Sequence, residues 1–131
     1  MKQFLLAGFL VAVPVAGFSA FEVYFNTGTA VAGASALGDL SAMQAVVKDT
    51  FAIADKGDLA AAATRITDFE TLWDNGEPTL RPMNKDAWGN VDSASDGALK
   101  ALRSKAPDAA KVKATLAALL AALTDPSKPI N

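Results

Sequence analysis

Apolar side chains are distributed along this chain in two different patterns. From Phe4 to Phe21 they are almost continuous, interrupted only by small residues and Pro14. From Leu40 onward they return every three or four residues, the period of a helix with one buried face. Leu40, Met43, Val47, Phe51 and Ala54 share such a face, flanked by Val46 and Ile53. This predicts a helix of about four turns, with Asp39 placed as its N-cap and Gly57 as its stop. Asp58 offers the next N-cap, ahead of a seam of Leu59, Ala62, Ile66, Phe69 and Trp73. A connection as short as Lys56-Gly57 makes these two helices antiparallel neighbours.

The pattern then breaks at Gly76 to Asn84, where Pro78 and Pro82 predict the longest loop of this part. Asn84 is placed to cap a third helix, in which Trp88, Val91, Ser95, Ala98 and Leu102 recur at helical spacing with Leu99 beside them. Gly89 and Gly97 weaken that helix by about 1 kcal/mol each relative to alanine. Lys105-Ala-Pro107 ends it, and Pro107 suits the first turn of a fourth helix, where Val112, Leu116, Leu119, Leu120 and Leu123 form a broad stripe. Asp125-Pro126 stops that one. Strand signals are nearly absent. The fold expected is therefore all-α, an up-down-up-down four-helix bundle over residues 39–125, with a tail at 126–131.

The continuous run at the start has another meaning. Lys2 ahead of an apolar stretch, followed by the small and polar residues 26–38, has the order of an export signal. Residues 1–25 are expected to be a signal peptide or a signal anchor, and residues 26–38 a flexible linker. Gly17-Phe-Ser19, Pro14-Val-Ala16 and Ala30-Val-Ala32 are tolerable cleavage sites. If none is cut, residues 4–25 are long enough to cross about 30 Å of hydrocarbon, with Glu22 and Tyr24 near the far interface. Both readings place the bundle in the periplasm, free or anchored to the inner membrane. A third, a buried N-terminal helix in a cytoplasmic protein, is the structural alternative.

Composition sharpens this picture. Alanine, the strongest intrinsic helix former, supplies 28 of the 131 residues. Cysteine and histidine are both missing, which excludes disulfides, thiol nucleophiles, histidine-ligated metals and a Ser-His-Asp triad. The formal net charge of -2 gives no general attraction to nucleic acid. Its distribution is uneven: eight acids stand against three bases from Asp58 to Asp96, whereas six bases stand against two acids from Gly97 to Asn131. The basic last third lacks the interleaved aromatics of a single-strand binder, so no nucleic-acid partner is expected.

The groups left to build a site are carboxylates, arginines and two tryptophans. Glu70, Asp74 and Glu77 share one helix edge, and Asp92 and Asp96 share another. If the edges face each other, Glu70, Asp74, Asp92 and Asp96 form an oxygen-only set suited to a hard divalent cation such as calcium, magnesium or iron. The alternative is that Arg65, Arg81, Arg103 and Lys100 pair with these acids along solvated edges. The Glu-x-x-His code of di-iron bundles is absent. Trp73 and Trp88 flank the proline segment, where they either line a pocket with Pro78, Leu80, Pro82 and Met83, Arg81 at its rim, or plug the end of an alanine-rich bundle. No GxSxG, Walker A or GxGxxG motif occurs, and no enzymatic activity or cofactor is expected.

Arg65-Ile-Thr-Asp-Phe-Glu-Thr-Leu-Trp-Asp74, Glu77-Pro-Thr-Leu-Arg-Pro82, Trp88-Gly-Asn-Val-Asp92 and Gly97-Ala-Leu-Lys-Ala-Leu-Arg103 resemble stretches of small exported, alanine-rich helical proteins of Gram-negative bacteria. The resemblance spans about Gly38 to Asp125 and implies a helical envelope protein without an established activity. Some similar sequences carry a histidine-kinase label, which a chain without histidine or a nucleotide-binding glycine box cannot satisfy. Leu40-Ser-Ala-Met-Gln44 is similar to the LTxxQ signature of the Spy/CpxP periplasmic chaperones, in one copy and with serine in place of threonine. The function expected is that of a non-enzymatic interaction or accessory module whose partner is another envelope protein. The alternative is a carboxylate-based metal or small-ligand binder of the periplasm.

Overall fold

The computed structural model describes residues 35–129, and the candidate signal or anchor lies outside the described residues. Four helices and no strand make up the described part: α1 Ser41–Asp55, α2 Leu59–Met83, α3 Lys85–Leu102 and α4 Ala109–Thr124. Each packs against two neighbours, α1 on α2 and α4, α3 on α2 and α4, which closes them into a four-helix bundle. Gln44, near the start of α1, donates to the Leu123 carbonyl near the end of α4. Lys113, at the start of α4, pairs with Asp55 at the end of α1, so these two helices run antiparallel. No helix among the described residues is long and apolar enough to cross a membrane.

Local chemistry explains where the helices begin and end. Asp58, Asn84 and Asp108 each accept a hydrogen bond from a first-turn amide, of Ala61, Ala87 and Ala110 respectively. That relieves one of the donors every helix start leaves unpaired. Asp108 therefore caps α4, and Pro107 lies just before the cap instead of inside the first turn. Asp39 accepts from the Ser41 amide, but Leu40 occupies the N-cap of α1. Gly57 closes the α1–α2 hairpin at φ +90°, a left-handed conformation that favours glycine.

The largest departure from expectation is the proline segment. Residues 76–83 are helical, so α2 continues for 25 residues and a single residue, Asn84, separates it from α3. Pro78 and Pro82 stand four apart, on one face of the helix, and both are exposed. The carbonyls that lose their helical donors belong to Asp74 and Pro78, which are exposed as well. The prolines thus cost hydrogen bonds where water can replace them, and the helix continues through both.

At about 1.5 Å per residue α2 outruns the 15-residue α1 by several turns. Residues before α1 fill the gap. Leu37 and Leu40 are buried at 1% and 3% exposure, and Gly38 lies beside the Met83 methyl. Ser35 to Gly38, expected to end a flexible linker, is thus a strap packed onto the bundle; the rest of that linker is outside the described residues. The core is completed by Val47, Ile66, Phe69, Val91, Val112, Leu116, Leu119 and Leu123, all fully buried.

Candidate functional site

The α2–α3 seam gathers most of the groups singled out from the sequence. Phe69, Trp73 and Trp88 form a column of nearly parallel rings, with centroids 6.1 Å and 5.6 Å apart and interplanar angles of 13°. Phe69 and Trp73 come from α2 four residues apart, which puts one ring a turn above the other. The Arg81 guanidinium caps the column, its carbon 5.1 Å from the Trp88 centroid. Cation–π contacts of this kind contribute about 0.5–1 kcal/mol at exposed sites. Arg81 is held in turn by Glu77 at 3.2 Å.

The tryptophans differ in their polar ends. The Trp73 indole donates to an Asp92 carboxylate oxygen at 3.0 Å, whereas the Trp88 indole nitrogen is buried with no hydrogen-bond partner among the described residues. Trp73, Arg81 and Trp88 do come together, but as a packed column. Pro78, Pro82 and Met83, which the pocket reading makes into walls, are exposed, and only Leu80 of that group is buried.

The four candidate metal carboxylates do not form one set among the described residues. Asp92 accepts from Trp73. Glu70 is engaged by Arg103 through two hydrogen bonds, the shorter 2.5 Å. Asp74 and Asp96 are exposed. Among the described residues no group of three or more carboxylates is placed to hold a metal ion. Glu70 and Asp96 do share an open surface groove of about 400 Å³ with Leu99, Lys100 and Arg103. Two arginines pair with the acidic edges, Arg103 with Glu70 and Arg81 with Glu77, whereas Arg65 bridges Asp68 on its own helix and Asp49 on α1, outside the candidate set.

The Glu70–Arg103 pair shifts both partners. Hydrogen bonding from Arg103, reinforced by its charge and partly opposed by desolvation, holds the Glu70 carboxyl below its ordinary value of 4.5. The same contact raises Arg103. Because the folded-state value is the lower one, the pair stabilises the fold above about pH 4.5, and the contribution fades as pH falls through the folded value. Both side chains are partly solvated, so Arg103→Ala is expected to cost at most about 1 kcal/mol at neutral pH. In urea titrations across pH, wild type and variant should converge in acid; a gap that stays constant down to pH 3 would assign the loss to packing of the arginine stem instead.

The Trp73–Asp92 bond is the contact that the sequence pattern does not reveal. Counted from the turn at Asn84, Trp73 lies eleven residues back and Asp92 eight residues on, so the pairing does not follow from equal spacing about the turn. Taking the proline segment for a loop removes even the approximate register of α2 against α3. No family model matches this chain, nor does any curated protein or solved structure.

Proposed function

We propose that this chain is a non-enzymatic helical module of the bacterial envelope, exported or anchored by residues 1–25 and acting by contact with another envelope protein. The observation that carries this reading is the pairing of an export-type N-terminal pattern with a bundle in which several of the candidate chemical groups are engaged with one another. Glu70 is spent on Arg103, Asp92 on Trp73 and Arg81 on Trp88. Such groups position helices. The resemblance to small exported alanine-rich proteins supports the same class.

On α2 two large apolar side chains are exposed, Leu72 and Met83, the latter at 53%. Single exposed apolar residues are ordinary, so these two support the reading only together with the export pattern.

The test combines location and partnership. A reporter fused after Asn131 that is active only outside the cytoplasm is the expected result, and cross-linking in envelope fractions should trap a second protein in a discrete adduct. The intact mass of the mature chain then distinguishes a cleaved signal from an anchor. Reporter activity confined to the cytoplasm would overturn the location, and the absence of any adduct at native expression would overturn the role.

A further inference from the structure

The stretch that the sequence pattern reads as a loop and the structure builds as a helix is the least secured part of the core. Within α2, Ala62, Ile66, Phe69 and Trp73 are buried in the first fifteen residues, whereas from Asp74 to Met83 only Leu80 is, and it retains 9% exposure. Two backbone hydrogen bonds are lost there to Pro78 and Pro82. Gly76 adds a position of low helix propensity; a side chain there would meet Leu80 Cδ1 at 2.9 Å and, from α1, the Met43 methyl at 3.5 Å. Beyond Leu80 the contacts are peripheral: Arg81 on the Trp88 ring and Met83 beside Gly38. Few buried apolar contacts and weakened backbone hydrogen bonding are the marks of a segment that opens on its own.

We propose that Asn75–Met83 is a separately unwinding unit. It passes between the helix seen here and an open, proline-bearing loop, while Leu59–Asp74, α1, α3 and α4 stay folded. Both of its ends are fixed, by Trp73 in the core and by α3 after Asn84, so opening is an unwinding and not a swing. Leu80 and the Arg81–Trp88 contact are the latch. Unwinding removes Arg81 from the indole face of Trp88 and exposes the seat of Leu80 without disturbing the opposite end of the bundle. This inference does not depend on the function proposed above.

Native-state hydrogen exchange on the full 131-residue chain tests it. The amides of Thr79, Leu80 and Arg81 should exchange about 100-fold or more faster than those of Ile66 and Phe69. The discriminating variant lies outside the unit. Leu116, fully buried in α4, remains folded in the open form, so Leu116→Ala should speed Ile66 and Phe69 by about thirtyfold or more and leave Thr79, Leu80 and Arg81 within about twofold of wild type. If Leu116→Ala does not fold, the milder Val112→Ala reads the same contrast. Equal protection of the two groups of amides, or an equal response of both to the variant, overturns the proposal.

Discussion

Replacing Trp73 by alanine is expected to remove about 3–5 kcal/mol of stability, the range for truncating a large buried aromatic. Trp73 is 3% exposed and is the middle ring of the Phe69–Trp73–Trp88 column. Truncation leaves a cavity, separates its two neighbours and deprives Asp92 of its indole donor. Small domains carry only about 5–15 kcal/mol in total, so the variant should approach its unfolding midpoint without denaturant. Urea titration followed by circular dichroism measures the effect. Trp73→Phe, which keeps a ring and removes the donor, should cost distinctly less. A loss below about 1 kcal/mol for the alanine variant would show that the column is not the packing centre of the α2–α3 seam.

The second large effect is expected outside any helix. Leu37 is 1% exposed and sits in the strap before α1, so Leu37→Ala should cost about 2–4 kcal/mol, as for a leucine deleted from a core. Its neighbour Ala36 is a control, because lengthening a half-buried residue there to serine changes little buried area. Thermal and urea unfolding of the two variants should differ clearly. If Leu37→Ala unfolds like wild type, the strap contributes no stability and the bundle begins at Leu40.

These expectations mark where the sequence was legible. The helical seams could be read because 3.6-residue periodicity depends only on which face is buried, and Ile66, Phe69, Trp73, Val91, Leu116 and Leu123 are buried as their spacing implies. The caps at Asp58 and Asn84 were legible for a similar reason, since a short polar side chain ahead of an apolar period has a local function. Pro78 and Pro82 misled because helix-breaking is judged from local cost, and here exposure on one face and packing of Leu80 offset that cost. Leu37 was hidden because one leucine among small residues has no period. Within the candidate site, Arg81 and Arg103 pair with Glu77 and Glu70 as one of the two readings has it, but the Trp73–Asp92 bond joins residues at unequal distances from Asn84 and follows from no count along the chain.

The hydrogen bond from Gln44 to the Leu123 carbonyl has a topological consequence. It brings the way into α1 beside the way out of α4, adjacent helices with axes about 8–10 Å apart. Asn90, near the start of α3, holds the Pro126 carbonyl at the same end. The described chain is therefore close to a closed ring in which the order of the helices is a matter of where the polypeptide happens to be cut. A polar connector from Ser127 back to Ser35, with a new opening at the solvent-exposed Lys56-Gly57 turn, is expected to keep the four helices against their present neighbours. In such a circular permutant α1 and α4 become joined neighbours, and the covalent link between α1 and α2 is replaced by packing alone.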